Sequence, residues 1–151
     1  MLKMCDLCKK KNIKLYFAHS LNHRKEYREI ELDLESKYDV ELINPFYDRD
    51  RDDIENIDNG NTTRWELPLE NCKNIVSRDL ASVKESDGFF TIINKPSIGT
   101  TLEMGYAKQL GKPIVVVSEI YKDHPWIRVY ADHKFANIDE FEDWLKNRRF
   151  C

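Results

Sequence analysis

Gly88-Phe89-Phe90-Thr91-Ile92-Ile93, then Asn94-Lys95-Pro96-Ser97-Ile98-Gly99, then Thr100-Thr101-Leu102-Glu103-Met104-Gly105-Tyr106-Ala107 is the stretch that decides the fold. The first segment is apolar and β-prone, the second breaks it with turn formers, and the third reads as the start of a helix. A strand that passes into a helix this way belongs to a βα unit, and open α/β sheets bind ligands at the carboxyl edge of such strands. Glu103 is expected in the first turn of the helix, at that edge. The positive end of the helix dipole would favour its ionised form, which a nucleophile needs. Thr100 and Glu103 also have the spacing of a capping box, in which both side chains serve the helix's own ends. The motif by itself leaves both roles open.

Outward from this unit, Ile13 to Ala18 reads as a first strand, with Ser20 opening the next loop. Tyr27, Ile30, Leu34 and Tyr38 recur at helical spacing and predict an amphipathic helix over about 22–38. Val40 to Ile43 reads as strand two. The stretch from Asn44 to Thr63 has one proline, many polar residues and no clear period, and is long for a connection, as functional lids or mobile loops are. A helical region follows over 64–86, interrupted near Pro68, with Cys72, Val76, Leu80 and Val83 as its expected buried stripe. Asp79 lies beside that seam, either in a site or as a boundary residue reaching water. Past the helix predicted over 100–110, Gly111-Lys112-Pro113 releases Ile114-Val115-Val116-Val117, a typical buried parallel strand. A short final strand region is flanked by Val129 and Phe135, and Ile138 to Asn147 predicts a helix with Phe141, Trp144 and Leu145 on its apolar face.

This alternation implies an α/β fold, a parallel sheet of about five strands with helices on both faces. Right-handed crossovers bring the carboxyl ends of strands one and three together. Residues 16–20 and 97–103 should then flank one crevice, with Asp79 approaching from the helix before strand three.

With 151 residues, 41% of them hydrophobic, one domain is expected, residues 13–151, after a basic N-terminal extension over 1–12. A net charge of −3 gives no support for a nucleic-acid polymer or a membrane surface as partner, so a small molecule is the expected ligand. No apolar run approaches the ~20 residues of a membrane span, and Met1 to Asp6 carries no signal-peptide core, so a cytoplasmic protein is expected. Cys5 and Cys8 have the spacing of half a zinc knuckle, but no second pair follows, so no metal site is expected. Cys72 reads as core and Cys151 as a free tail.

Leu15-Tyr16-Phe17-Ala18-His19-Ser20, Asp79-Leu80 followed by Ser86-Asp87, and Gly99-Thr-Thr-Leu-Glu-Met-Gly-Tyr-Ala107 with Gly111-Lys-Pro113 together resemble the nucleoside 2-deoxyribosyltransferase family over most of residues 13 to 118. The resemblance implies a flavodoxin-like fold and cleavage of the N-glycosidic bond of 2′-deoxynucleosides, or of their 5′-monophosphates, with no cofactor. By position, Glu103 would be the nucleophile, Tyr16 would hold its carboxylate, and Asp79 would touch the sugar or base and move the proton. A carboxylate attacking an oxocarbenium-like carbon while an acid protonates the departing base is the chemistry of retaining glycosidases. By itself Tyr16 reads more readily as a core aromatic with a polar tip.

Many transferases of the family have an aspartate six residues before the nucleophile, where this chain has Ser97. A serine there is similar to the branch that hydrolyses deoxynucleoside 5′-monophosphates, and Ser20 matches a second phosphate-contacting serine of that branch. Gly99-Thr100-Thr101 is more like the transferases, so transfer of the deoxyribose to another free base is the leading expectation and monophosphate hydrolysis the alternative. Joint retention of Tyr16, Asp79 and Glu103 argues against a sensor without turnover. The segment ending at Trp65 is expected to line the base pocket. The resemblance also implies a homodimer or larger homo-oligomer, with residues 126–137 reaching a neighbour.

Overall fold

A computed structural model describes residues 4–48 and 51–148. Five parallel strands, β1 (Ile13–Ala18), β2 (Val40–Ile43), β3 (Gly88–Ile92), β4 (Ile114–Val117) and β5 (His133–Phe135), form one sheet in the order β2-β1-β3-β4-β5. This is the flavodoxin-like parallel sheet expected. Around it run α1 (Met4–Lys9), α2 (Arg24–Lys37), α3 (Asp52–Asp58), α4 (Leu69–Glu85), α5 (Ile98–Gln109), α6 (Pro125–Tyr130) and α7 (Ile138–Asn147).

Alternation along each strand separates two cores. On one face Ile13, Leu15 and Phe17 pack with Phe90, Ile92, Val115 and Val117, covered by Leu7 of α1, Tyr27 and Leu34 of α2, and Phe141 and Leu145 of α7. Phe17, Phe90 and Phe141 stack in series, with centroids 4.9 and 4.3 Å apart. On the other face Tyr16, Ala18, Phe89, Ile114 and Val116 meet Val83 of α4 and Met104 and Ala107 of α5. Gly88 is needed where β3 begins, because a Cβ there would stand 3.1 Å from the Pro113 carbonyl. Gly111, at φ +71, ends α5 and turns the chain into β4.

Several expectations are corrected. The 44–63 segment contains α3, hidden in the sequence because Ile54 and Ile57 are its only large apolar residues. Val129 lies in α6, 69% exposed, and does not flank a strand. Within α4, Val76 is 55% exposed while Ser82 and Val83 are buried. A 17-residue helix is about 25 Å long, whereas strands of four or five residues span about 15 Å, so the amino-terminal half of α4 overhangs the carboxyl edge of the sheet. The thiol of Cys72, in that half, is partly buried and points at the Leu67 carbonyl, 3.8 Å away. Leu7 and Cys8 of the basic extension are buried, and buried Arg148 donates to the carbonyls of Leu7, Lys10, Lys11 and Asp39. Cys151 lies outside the described residues, as does the side chain of Cys5. No group of side chains suited to a metal ion, and no helix long and apolar enough to cross a membrane, occurs among the described residues.

Candidate active site

The connection from β1 leads to β2 on one side of the sheet and that from β3 to β4 on the other, so the carboxyl ends of β1 and β3 open a crevice between them. Ser97 caps the helix on its rim: its Oγ accepts from the Thr100 N–H at 3.2 Å and donates to Thr100 Oγ1 at 2.8 Å. α5 therefore begins at Ile98, earlier than expected. Glu103 falls in the second turn, and the capping box of Thr100 with Glu103 does not form.

The consequence is electrostatic. The dipole's effect fades beyond the first turn, and burial pushes the Glu103 carboxyl up to about 8, with the charge of Asp79 acting the same way; Tyr16 and Arg51 pull it back. The expectation that the helix end keeps this carboxylate readily ionised is overturned. Tyr16 is fully buried on β1, and its hydroxyl has no partner of good hydrogen-bond geometry. It is nevertheless near enough to the Glu103 carboxylate to favour the ionised form. Burial, then Glu103 and Asp79, raise the Tyr16 hydroxyl well above the usual tyrosine range, so it stays a donor. Asp79, half-buried on α4, shares this field. Gly99 lies on the same side: a Cβ there would be 3.5 Å from Glu103 Oε1.

Arg51 is the member that sequence reasoning missed. Its side chain is 8% exposed, pairs with both oxygens of Asp53 at 2.8 Å, donates to the Pro45 carbonyl at 3.3 Å and lies over the Phe46 ring. Its charge acts on Tyr16 and Glu103. The loop that leads to it is fastened by Asn44, which donates to buried Glu31 at 2.8 Å. Burial pushes Glu31 up to about 7 despite Asn44 and Arg28. The only signal in the sequence was Arg51 heading a run of acids in an aperiodic stretch.

The remaining expected residues lie elsewhere. A cavity of about 510 Å³ runs between α5, α6 and the loop after β3. Ser20, Lys95, Ser97, Thr100 and His124 give it a polar side, while Met104, Trp126, Ile127 and Tyr130 give it an apolar one, and no Asp or Glu lines it. Glu103, Asp79 and Tyr16 are not among its lining residues; Ser97, at the amino-terminal tip of α5, is. Trp65 belongs to neither group: it is 84% exposed, near Arg64.

The structure thus brings two acids and a buried tyrosine together at the switch point of a doubly wound α/β fold. The chain belongs to the nucleoside 2-deoxyribosyltransferase family, whose profile matches residues 15–143. Family and fold support an N-glycosidase-type activity on small nucleosides or nucleotides. Among solved structures, a 2-deoxyribosyltransferase from the psychrotolerant bacterium Bacillus psychrosaccharolyticus aligns with a TM-score of 0.60 and 22% identity, over 86% of this chain and 90% of that one. The Clostridium botulinum CMP N-glycosidase aligns at 0.53 and 19%, over 88% and 97%. At these identities the likeness is one of fold. No curated protein is matched by sequence.

Proposed function

We propose that this protein is a nucleoside 2-deoxyribosyltransferase that cleaves the N-glycosidic bond by double displacement at Glu103. The observation that carries the reading is the cluster itself: a largely buried carboxyl beside a second acid and near enough to a buried tyrosine hydroxyl for that hydroxyl to favour its ionised form. Ionised Glu103 attacks C1′ as the bond to the base nitrogen breaks, and Asp79 delivers the proton the departing base takes. Tyr16 donates to Glu103 and keeps its reactive oxygen aimed. A second base then attacks C1′ from the vacated side, returns its proton to Asp79 and frees Glu103. Substrate alone should leave a deoxyribosyl adduct on Glu103, read by intact-mass spectrometry after acid quench. The adduct should be absent from Glu103→Gln; turnover without any adduct would overturn the nucleophile.

One observation favours a second reading, hydrolysis of a deoxynucleoside 5′-monophosphate. The wall that Ser20 and Ser97 form with Lys95 carries hydroxyls and a cation and no acid, which suits a dianion better than an aspartate would. Substrates with and without the phosphate, each assayed with and without a free acceptor base, separate the two readings.

We propose further that the site is completed in a homo-oligomer. In its support, Leu69 on α4, Ile98 and Leu102 on α5, and Trp126 and Val129 on α6 are 67–77% exposed, more large apolar surface than solvent favours. Exposed Trp65 would meet substrate or a neighbour in that assembly. Light scattering that reports a monomer at assay concentration would refute this.

A further inference from the structure

Arg51 has more hydrogen-bonding capacity than the protein around it takes up. A guanidinium carries five N–H donors. Nε and Nη2 each give one to Asp53 at 2.8 Å, and Nη1 gives one to the Pro45 carbonyl at 3.3 Å. Among the described residues nothing accepts the other two, one on Nη1 and one on Nη2, although the side chain is only 8% exposed. Donors so largely removed from water are costly to leave unmet, and a ligand that brings an acceptor satisfies them.

The guanidinium is fixed before any ligand arrives. It lies over the Phe46 ring, 5.2 Å from the centroid. Phe46 is held in turn by its N–H on Asn44 Oδ1 at 3.1 Å and by the His19 ring, with centroids 5.1 Å apart. Burial works against the charge of Arg51, and Asp53, then Asp79, then Tyr16 favour it. Within the catalytic cluster Arg51 is thus linked first to the acid that serves the departing base. It does not line the cavity that holds Ser20, Ser97 and Lys95, so its donors do not belong to that wall.

We propose that Arg51 is a catalytic residue that donates its two remaining N–H groups to the 2-oxygen of a departing pyrimidine base, and so selects 2-oxopyrimidines over purines. The inference rests on the glycosidase reading and deepens it. A purine leaves when a ring nitrogen is protonated, which an acid alone can serve. When the C1′–N1 bond of a 2-oxopyrimidine breaks, its electron pair stays on N1 and spreads onto the 2-oxygen. A fixed cation beside the acid meets that charge as it develops, and the bonds strengthen towards the transition state. Arg51 keeps all its protons; Glu103 forms the new bond to C1′, and Asp79 supplies the proton that the base takes.

The test has a binding arm and a turnover arm. By isothermal titration calorimetry the parent should bind cytosine about ten- to a hundredfold more tightly than 4-aminopyrimidine, the same ring without the 2-oxygen. Arg51→Lys keeps a cation but not the planar fork, and Arg51→Gln combined with Asp53→Asn leaves no buried charge unpaired. Each should bring the two bases to nearly equal affinity. Turnover is compared on the pH plateau of each protein, where Glu103 is ionised, with 2′-deoxycytidine, 2′-deoxyuridine and 2′-deoxyadenosine, or with their 5′-monophosphates if those are the form cleaved. In both variants kcat should fall about ten- to a hundredfold for the two pyrimidines and change little for the purine. A 5-fluoro substituent, which lets the departing base carry negative charge more easily, should rescue deoxyuridine cleavage more in the variants than in the parent. Equal losses for purine and pyrimidine, no rescue by fluorine, or a parent indifferent to the 2-oxygen would each overturn the proposal. A protein that recognises the 2-oxygen through Arg51 but cleaves none of these compounds would refute the glycosidase reading and keep the contact, whereas cleavage without that recognition would do the reverse.

Discussion

Replacing Glu103 with glutamine tests the reasoning at its centre, because the same burial governs both catalysis and stability. The carboxyl moves from an ordinary 4.5 to about 8, so at pH 6 about 1% of the free enzyme holds the ionised nucleophile. kcat/KM should rise about tenfold per pH unit from 6 towards 8 and then level off, since this parameter follows the free enzyme. The stability effect has a definite sign. Below pH 4.5 the group is protonated folded and unfolded alike, and nothing is lost. Between 4.5 and 8 the unfolded chain ionises and the folded one does not, so stability falls as pH rises, and the loss is complete above about 8. At about 1.4 kcal/mol per unit the loss is on the order of 5 kcal/mol, reduced because part of the side chain meets water. Glu103→Gln should therefore be inactive at every pH, as stable as the parent at pH 4 and at least about 2 kcal/mol more stable at pH 9, measured by guanidinium denaturation. A flat rate profile from pH 6 to 8 together with no gain at pH 9 would refute the account.

Tyr16→Phe and Arg51→Gln remove groups that favour ionised Glu103, so both should move the rising limb of the rate profile to higher pH, whereas Asp79→Asn should move it lower while slowing turnover; limbs that stay put would disconnect these residues from the nucleophile. Ser97→Asp keeps a competent cap on α5 but sets a carboxylate against a phosphate, a repulsion of about 4 kcal/mol per charge pair at ~4 Å and an effective dielectric near 20. Monophosphate binding should fall several hundredfold while nucleoside use is tolerated, and equal effects on both would remove Ser97 from the 5′ end. Arg148→Ala leaves the carbonyls of Leu7, Lys10, Lys11 and Asp39 without their buried donor. It should lower stability by at least about 3 kcal/mol in urea, with faster hydrogen exchange around Leu7.

Apolar runs bounded by turn formers indicated the strands, helical spacing the long helices, and their alternation the parallel sheet, because these patterns fix which faces must be buried wherever the chain goes. The adjacency of strands one and three, and with it the placing of residues 16–20 and 97–103 about one crevice, also followed from the sequence, since crossover handedness leaves few alternatives; a bond between Tyr16 and Glu103 was implied only by the family resemblance. Tertiary structure decided what depends on depth. Val76 repeats as regularly as any core residue, yet the overhang of α4 leaves it in solvent. Glu103 was legible as a carboxylate near a helix end, but its raised pKa comes from burial by neighbours distant in sequence, and a cap at Ser97 put it one turn deeper than the Thr100 motif implied. Arg51 had no periodic partner to announce it; it enters the site because Asn44 anchors the preceding loop to a buried glutamate on another helix. That Ser97 and Thr100 line the cavity while Glu103 does not is likewise a matter of tertiary structure, since side chains neighbouring in sequence are turned to different sides by the helix face they occupy.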